Sequence, residues 1–219
     1  MSKKLTAETI GKTSAGAASG ALTINVMPAA TIASTKSPAF TTTILHEIPP
    51  VWNAESRILI LGTMPSPKSR ETGFFYMHPQ NRFWKVVPAV FCEKLSVSNA
   101  EASKNLENRE KALIERRDFL LRHNIALWDV LASCDITGAS DASIKNAIPN
   151  DFSKIFSNSK IKKVFCTGKT AFNYWKKFCA SLYEGRFNLQ SECLPSTSPA
   201  NAAWSLERLL ESYANLREN

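Results

Sequence analysis

The stretch best equipped for chemistry runs Gly62-Thr63-Met64-Pro65-Ser66-Pro67-Lys68-Ser69-Arg70-Glu71-Thr72-Gly73-Phe74-Phe75-Tyr76-Met77-His78-Pro79-Gln80-Asn81-Arg82-Phe83-Trp84-Lys85. Rings, cations and amides are interleaved there, directly after an apolar run. An aromatic face can stack on a nucleobase for ~1–3 kcal/mol per base, and cations can hold phosphates. Phe83 and Trp84 open a helical pattern and are expected in the core. Tyr76, in a loop between Gly73 and His78-Pro79, is expected to meet a ligand. His78 is held extended by the following proline; it is a candidate donor to a base or phosphate near neutral pH, pinning the loop being its other role. A second segment, Thr167-Gly168-Lys169-Thr170, invites a phosphate-loop reading. That motif needs a glycine where Lys163 stands, so nucleoside triphosphate binding is rejected. No His, Cys, Asp or Glu cluster has metal-ligand spacing, and neither metal nor cofactor is expected. Cys92, Cys134, Cys166, Cys179 and Cys193 are odd in number and lack a C-x-x-C pair. They read as small hydrophobes of a reducing, cytoplasmic compartment rather than as disulfides, a zinc ribbon or an iron–sulfur ligand set.

Elements must position these residues. Arg57–Gly62 is a short apolar run ending in glycine, the pattern of a buried parallel strand. Ile125–Trp128, Lys162–Cys166 and Leu189–Leu194 repeat it. Helical spacing covers Gln80–Phe91 (broken near Pro88), Glu101–His123, Thr170 to about Tyr183, and Ala202–Arg217. The long second helix places Leu106, Leu113, Ile114, Leu120 and Leu121 on its apolar side. Gly168 is expected to turn the third strand into its helix. Alternating strands and helices predict an α/β fold: a three-layer α/β/α sandwich around a four-stranded parallel sheet. Ligands of such folds sit beyond the carboxyl ends of the strands, here the loops 62–82, 129–151, 166–170 and 195–202.

Composition bounds the partner. The chain has 219 residues with 44% hydrophobic content, enough for one domain with a real core. No apolar run is long enough to span a membrane. A formal charge of +8 favours a polyanion. Residues 1–43 are rich in Ser, Thr, Ala and Gly and read as a disordered extension. It is expected to reach about residue 50, with the functional domain over 51–219. Residues 152–183 hold seven lysines and no acid, a candidate DNA-backbone face or a solvated one.

Gly62-Thr-Met-Pro-Ser66 followed by Gly73-Phe-Phe-Tyr-Met-His-Pro-Gln-Asn-Arg-Phe-Trp-Lys85 resembles the first motif of the uracil-DNA glycosylase superfamily. Leu194-Pro-Ser-Thr-Ser-Pro-Ala-Asn-Ala202 resembles its second. Leu127-Trp-Asp-Val-Leu131 and Ile148-Pro-Asn-Asp-Phe152 fit the hypoxanthine-DNA glycosylase branch best. The resemblance implies a monofunctional, monomeric base-excision enzyme that everts a deaminated nucleotide from DNA and hydrolyses its N-glycosidic bond. Tyr76 is similar in position to the ring that stacks on the everted base. Gly62, Thr63, Met64, His78 and Ser196 fall in the substrate-binding motifs. Ser198, Pro199, Ala200 and Asn201 match the loop that grips the flanking strand, with Lys169 as a further DNA contact. Asn81 is the main catalytic candidate: its amide pairs an acceptor with a donor, matching the NH–CO edge of hypoxanthine or uracil, and its N–H can hold charge on the departing base. A helix cap is its competing role. Asp129, at a strand end, is the second candidate, to hold water or steady an oxocarbenium-like sugar, with a turn or cap as the alternative. Met64 stands where relatives that excise uracil or mismatched thymine carry a water-positioning Asn, and a thioether cannot orient water. Thr167 replaces an Asn frequent before the glycine in this branch. A uracil or thymine mismatch glycosylase, or a silent nucleic-acid binder on the same scaffold, are the alternatives.

Overall fold

A computed structural model of the chain describes residues 41–138 and 141–218. The parallel sheet contains β2 (Ile58–Gly62), β3 (Ile125–Asp129), β6 (Lys163–Thr167) and β7 (Gln190–Leu194), in the order β3-β2-β6-β7. Alternation along a strand sends successive side chains to opposite faces, so β2 serves two cores. Ile58 and Ile60 pack with α2 (Phe83–Val90), α4 (Leu106–Arg122) and α8 (Leu206–Tyr213). Leu59 and Leu61 pack with α5 (Ser153–Ser157), α6 (Lys169–Phe178) and α7 (Ala180–Phe187). This is the expected α/β/α sandwich. Among the described residues no helix is long and apolar enough to cross a membrane.

The long helix expected over Glu101–His123 is two helices, α3 (Asn99–Ala102) and α4. Asn105 caps α4 by accepting from the Asn108 amide at 2.8 Å, which offsets the break. The buried face of α4 carries Ala112, Arg116, Phe119 and Leu120, while Leu106 and Ile114 are 64% and 63% exposed. Of the expected apolar side, Leu120 is buried and Leu113 and Leu121 pack against the core, so only Leu106 and Ile114 fall outside a buried face that has an arginine in its middle. Arg116 donates to Val97 O and Asn99 Oδ1, and its guanidinium lies 5.4 Å from the Trp84 ring centre.

A second sheet was not expected. β1 (Thr41–Leu45), β4 (Leu131–Thr137) and β5 (Lys145–Pro149) form an antiparallel sheet in the order β1-β4-β5. The region 129–151 reads as a loop because the β4–β5 register shifts twice, and each shift breaks the period-two pattern that announces a strand. Strand β1 also corrects the extension. Residues 1–40 lie outside the described residues, but 41–50 belong to the fold: β1 pairs with β4, and Ile48 is buried. Another short helix, α1 (Pro67–Thr72), follows the first motif's opening turn; Ser66 caps it, with Pro67 at its start and Gly73 in the left-handed region at its end.

Candidate active site

The carboxyl ends of β2, β3, β6 and β7 open into a cleft of about 1030 Å³. Gly62, Thr63, Met64, Tyr76, Asn81, Asp129, Lys169, Ser196, Ser198, Ala200 and Asn201 all line it, so fold topology gathers most of the expected site. His78 and Pro199 are not in the lining. The His78 ring turns back on its own loop, where Nδ1 accepts from the Gln80 amide at 3.2 Å, which fits its pinning role. Pro199 is exposed between two lining residues.

Asn81 braces the start of α2, close to the capping role read as the alternative to its catalytic one. Its Oδ1 accepts from the Phe83 amide and from the Thr197 hydroxyl, each at 2.9 Å, tying the start of α2 to the second-motif loop. A backbone N–H can only donate, so the side-chain orientation is set by this network. With both lone pairs of Oδ1 engaged, Asn81 does not offer the donor–acceptor pair expected of it. Its Nδ2, which makes no hydrogen bond among the described residues, is the group it has left for a ligand in the cleft it lines.

Tyr76 is braced rather than loose. Its ring stacks on Phe83 with centres 4.0 Å apart and planes 6° from parallel, and its hydroxyl shares a hydrogen bond of 2.8 Å with Thr167. Thr167, a departure in the sequence, thus anchors the ring; it also donates to Leu61 O at 3.2 Å. Tyr76 has φ +56°, a costly region for a bulky residue. The strain is held by Asn99, whose Nδ2 donates to Tyr76 O at 2.8 Å and His78 O at 2.9 Å. Burial, and then the charge of Asp129, push the Tyr76 phenol well above the usual tyrosine range, with the Thr167 hydrogen bond opposing. The hydroxyl stays neutral at any working pH.

Asp129 is 3% exposed. Its Oδ2 lies 2.9 Å from His46 Nε2. Its Oδ1 stands over the end of β2, where a Cβ on Gly62 would come within 2.2 Å of it and 2.8 Å of the Tyr76 hydroxyl. Gly62 is therefore a requirement of close approach. Gly168 makes the expected turn: it has φ +102°, and its amide donates to Leu194 O at 2.7 Å.

The second-motif loop is held by a residue of the first. The Arg82 guanidinium donates to the carbonyls of Thr197, Ser198, Asn201 and Trp204. The structure spends this motif cation on backbone carbonyls rather than leaving it for a phosphate. Within the loop, Asn201 Nδ2 donates to Ser196 O at 2.8 Å, and Ser196 Oγ accepts from the Ser198 amide at 3.2 Å.

Sequence reasoning missed His46, Arg82's clamp and one wall of the cleft, formed by Ile44, Ile136, Gly138, Asp141 and Ala142 of the second sheet and the turn after it. His46 had no signal beyond a lone histidine after a threonine-rich strand. Of the lysine-rich stretch, Lys160 and Lys176 are ion-paired with Glu55 and Glu184, whereas Lys169 is exposed at the cleft. Among the described residues no group of three or more His, Cys, Asp or Glu side chains is placed to hold a metal ion.

Residues 49–217 match the family model of the uracil DNA glycosylase superfamily. The chain belongs to that superfamily. It is a DNA glycosylase, and DNA is its substrate. Among relatives, this glycosylase is 33% identical over 144 residues to a hypoxanthine DNA glycosylase of Methanosarcina barkeri, covering 65% of the chain and 83% of that protein. It is 30% identical over 176 residues to a hypoxanthine DNA glycosylase of Methanosarcina acetivorans, covering 80% and 99%. A solution NMR structure of a Methanosarcina acetivorans protein, provisionally assigned as a uracil DNA glycosylase, superposes with a TM-score of 0.60 at 26% identity, covering 81% of this chain and 98% of that one.

Proposed function

We propose that this glycosylase releases hypoxanthine from deoxyinosine in DNA, acting on an everted nucleotide and leaving an intact abasic strand. The carrying observation is Asn81, which lines the cleft with its carbonyl oxygen tied off, so that its Nδ2 donors are what remains for a ligand. Hypoxanthine offers O6 and N7 as neighbouring acceptors, while adenine sets an amino donor beside N7. A donor-only amide therefore accepts the first and leaves polar groups unpaired against the second. Guanine shares O6 and N7; its rejection falls to its stronger pairing, which makes eversion costly.

As the C1′–N bond breaks, its electron pair passes to the base, and the Asn81 donors stabilise the growing negative charge. Tyr76, held by Phe83 and Thr167, provides the flat surface for the base. Asp129 balances the positive charge on the sugar and takes the proton of the water that adds to C1′. Met64 cannot orient that water, which favours the hypoxanthine reading over uracil excision by the amide route. Lys169, in the first turn of α6 where a helix dipole disfavours a cation, becomes favourable beside a phosphate. The relatives named as hypoxanthine DNA glycosylases support the same substrate. We infer a monomer at work in a reducing, cytoplasmic compartment, with which its free cysteines are in keeping.

The test uses labelled duplexes carrying inosine, uracil, or thymine opposite guanine, incubated with the enzyme and then treated with alkali. Cleavage at inosine, and only after alkali, is expected. Cleavage confined to uracil or mismatched thymine moves the assignment to those substrates, and binding without abasic product removes the catalytic reading.

A further inference from the structure

The unexpected strand β1 delivers one side chain to the cleft's chemistry. His46 directly follows it and precedes residue 49, where the superfamily match begins. Its side chain is fully buried. The backbone is seated by its amide donating to Ala132 O at 2.8 Å, and the ring lies 6.1 Å from the rings of Phe75 and Trp128. Nε2 is 2.9 Å from Asp129 Oδ2, while Nδ1 is buried with no hydrogen-bond partner among the described residues. A bare ring nitrogen is tolerable as an acceptor without a donor; an N–H buried there would be an orphan donor at full desolvation cost. The network therefore selects the tautomer with its proton on Nε2, donating to the carboxylate.

From this geometry we propose that His46 is a positioning residue for base excision: it grips Oδ2 of Asp129 so that Oδ1, above Gly62, is the oxygen presented to the sugar and the water. The role rests on the catalytic reading of Asp129. Carboxylates rotate freely about their last bond, and one charge-assisted hydrogen bond to a fully buried donor removes that freedom. The other groups facing Asp129 are the Tyr76 hydroxyl, from the motif loop, and Asp141, from the turn after β4.

The experiment compares His46→Gln, His46→Phe and Asp129→Asn in the full-length chain, by single-turnover excision from an inosine duplex, by binding to that duplex and by thermal melting. Gln places an amide N–H near the position of Nε2 and should keep the rate within a few-fold. Phe fills the aromatic seat without a donor. It should slow excision by ~10–100-fold, the usual effect of losing an orienting partner. Binding to the same duplex should stay near wild type, which separates lost orientation from a disturbed fold. If Phe fails to melt cooperatively, His46→Leu takes its place in the comparison. Asp129→Asn should abolish most activity. An inactive Asp129→Asn beside Phe and Gln variants of wild-type rate overturns the positioning role alone. An active Asp129→Asn overturns the reading of Asp129 and the role of His46 with it.

Discussion

Replacing Asn81 in two ways separates its chemistry from its scaffolding. Asn81→Asp keeps an oxygen where Oδ1 accepts from Phe83 N and Thr197 Oγ1, both at 2.9 Å, but turns the remaining donor into an anionic acceptor. Removing one donor aimed at developing negative charge costs ~2.7–4 kcal/mol, a rate loss of about 10²–10³, and the new charge adds repulsion. Asn81→Ala loses the same donor and also the acceptor that braces the start of α2. Leaving the two donors unsatisfied costs on the order of 1–3 kcal/mol where water is excluded. For a domain of this size each kcal/mol lowers Tm by ~2–4 °C. Single-turnover excision from an inosine duplex, binding to the same duplex and a thermal melt are measured for both variants. Both should lose at least ~10² in rate and retain DNA binding; only Ala should melt several degrees lower. An Asp variant within a few-fold of the wild-type rate would refute the donor argument, and matched losses of rate and binding would reduce Asn81 to a scaffold.

Gly62→Ala should fold but drive a methyl into Asp129 Oδ1 and the Tyr76 hydroxyl, the Cβ falling 2.2 Å and 2.8 Å from them. Overpacking of this kind costs ~1–3 kcal/mol, and displacing the carboxylate should cut excision by ~10² or more; an unchanged rate in a stable variant contradicts the close approach. Glu184 lies between α6 and β7, away from the cleft. Burial pulls its carboxyl upward, but hydrogen bonds from Ser191, Lys176 and Trp175 outweigh it and hold the group below its ordinary 4.5. A depressed carboxylate stabilises the fold fully above the unfolded value, and that stability fades as pH falls through the folded one. Denaturant unfolding between neutral and acid pH should show Glu184→Gln to be less stable near neutrality, with the difference shrinking toward acid. A gap that persists unchanged in acid removes this linkage.

Where local signals and local physics coincide, the sequence read well. Ile58–Gly62 is apolar on both faces because helices cover both, so its burial shows as an unbroken run. The motif residues Asn81, Tyr76, Met64 and Ser196 meet in one cleft because strand ends of a parallel sheet converge by topology. The part played by Asn81 was only half legible. Residue type establishes that an amide has a donor and an acceptor, but only the approach of Phe83 N–H and Thr197, over a hundred positions later, decides that the acceptor is spent. Arg82 repeats the lesson, since a cation in a motif suggests phosphate until the carbonyls it holds are seen.

The amino-acid order by itself determined the sandwich, the location of the cleft and the family. These follow from periodicities and spacings confined to short windows, where each residue's environment is set by neighbours along the chain. Only the tertiary structure decided that residues 41–50 belong to the fold, that a bulged antiparallel sheet walls the cleft, and that His46 meets Asp129 across 83 positions. Such contacts leave no local trace, because their partners are chosen by the packing of distant elements.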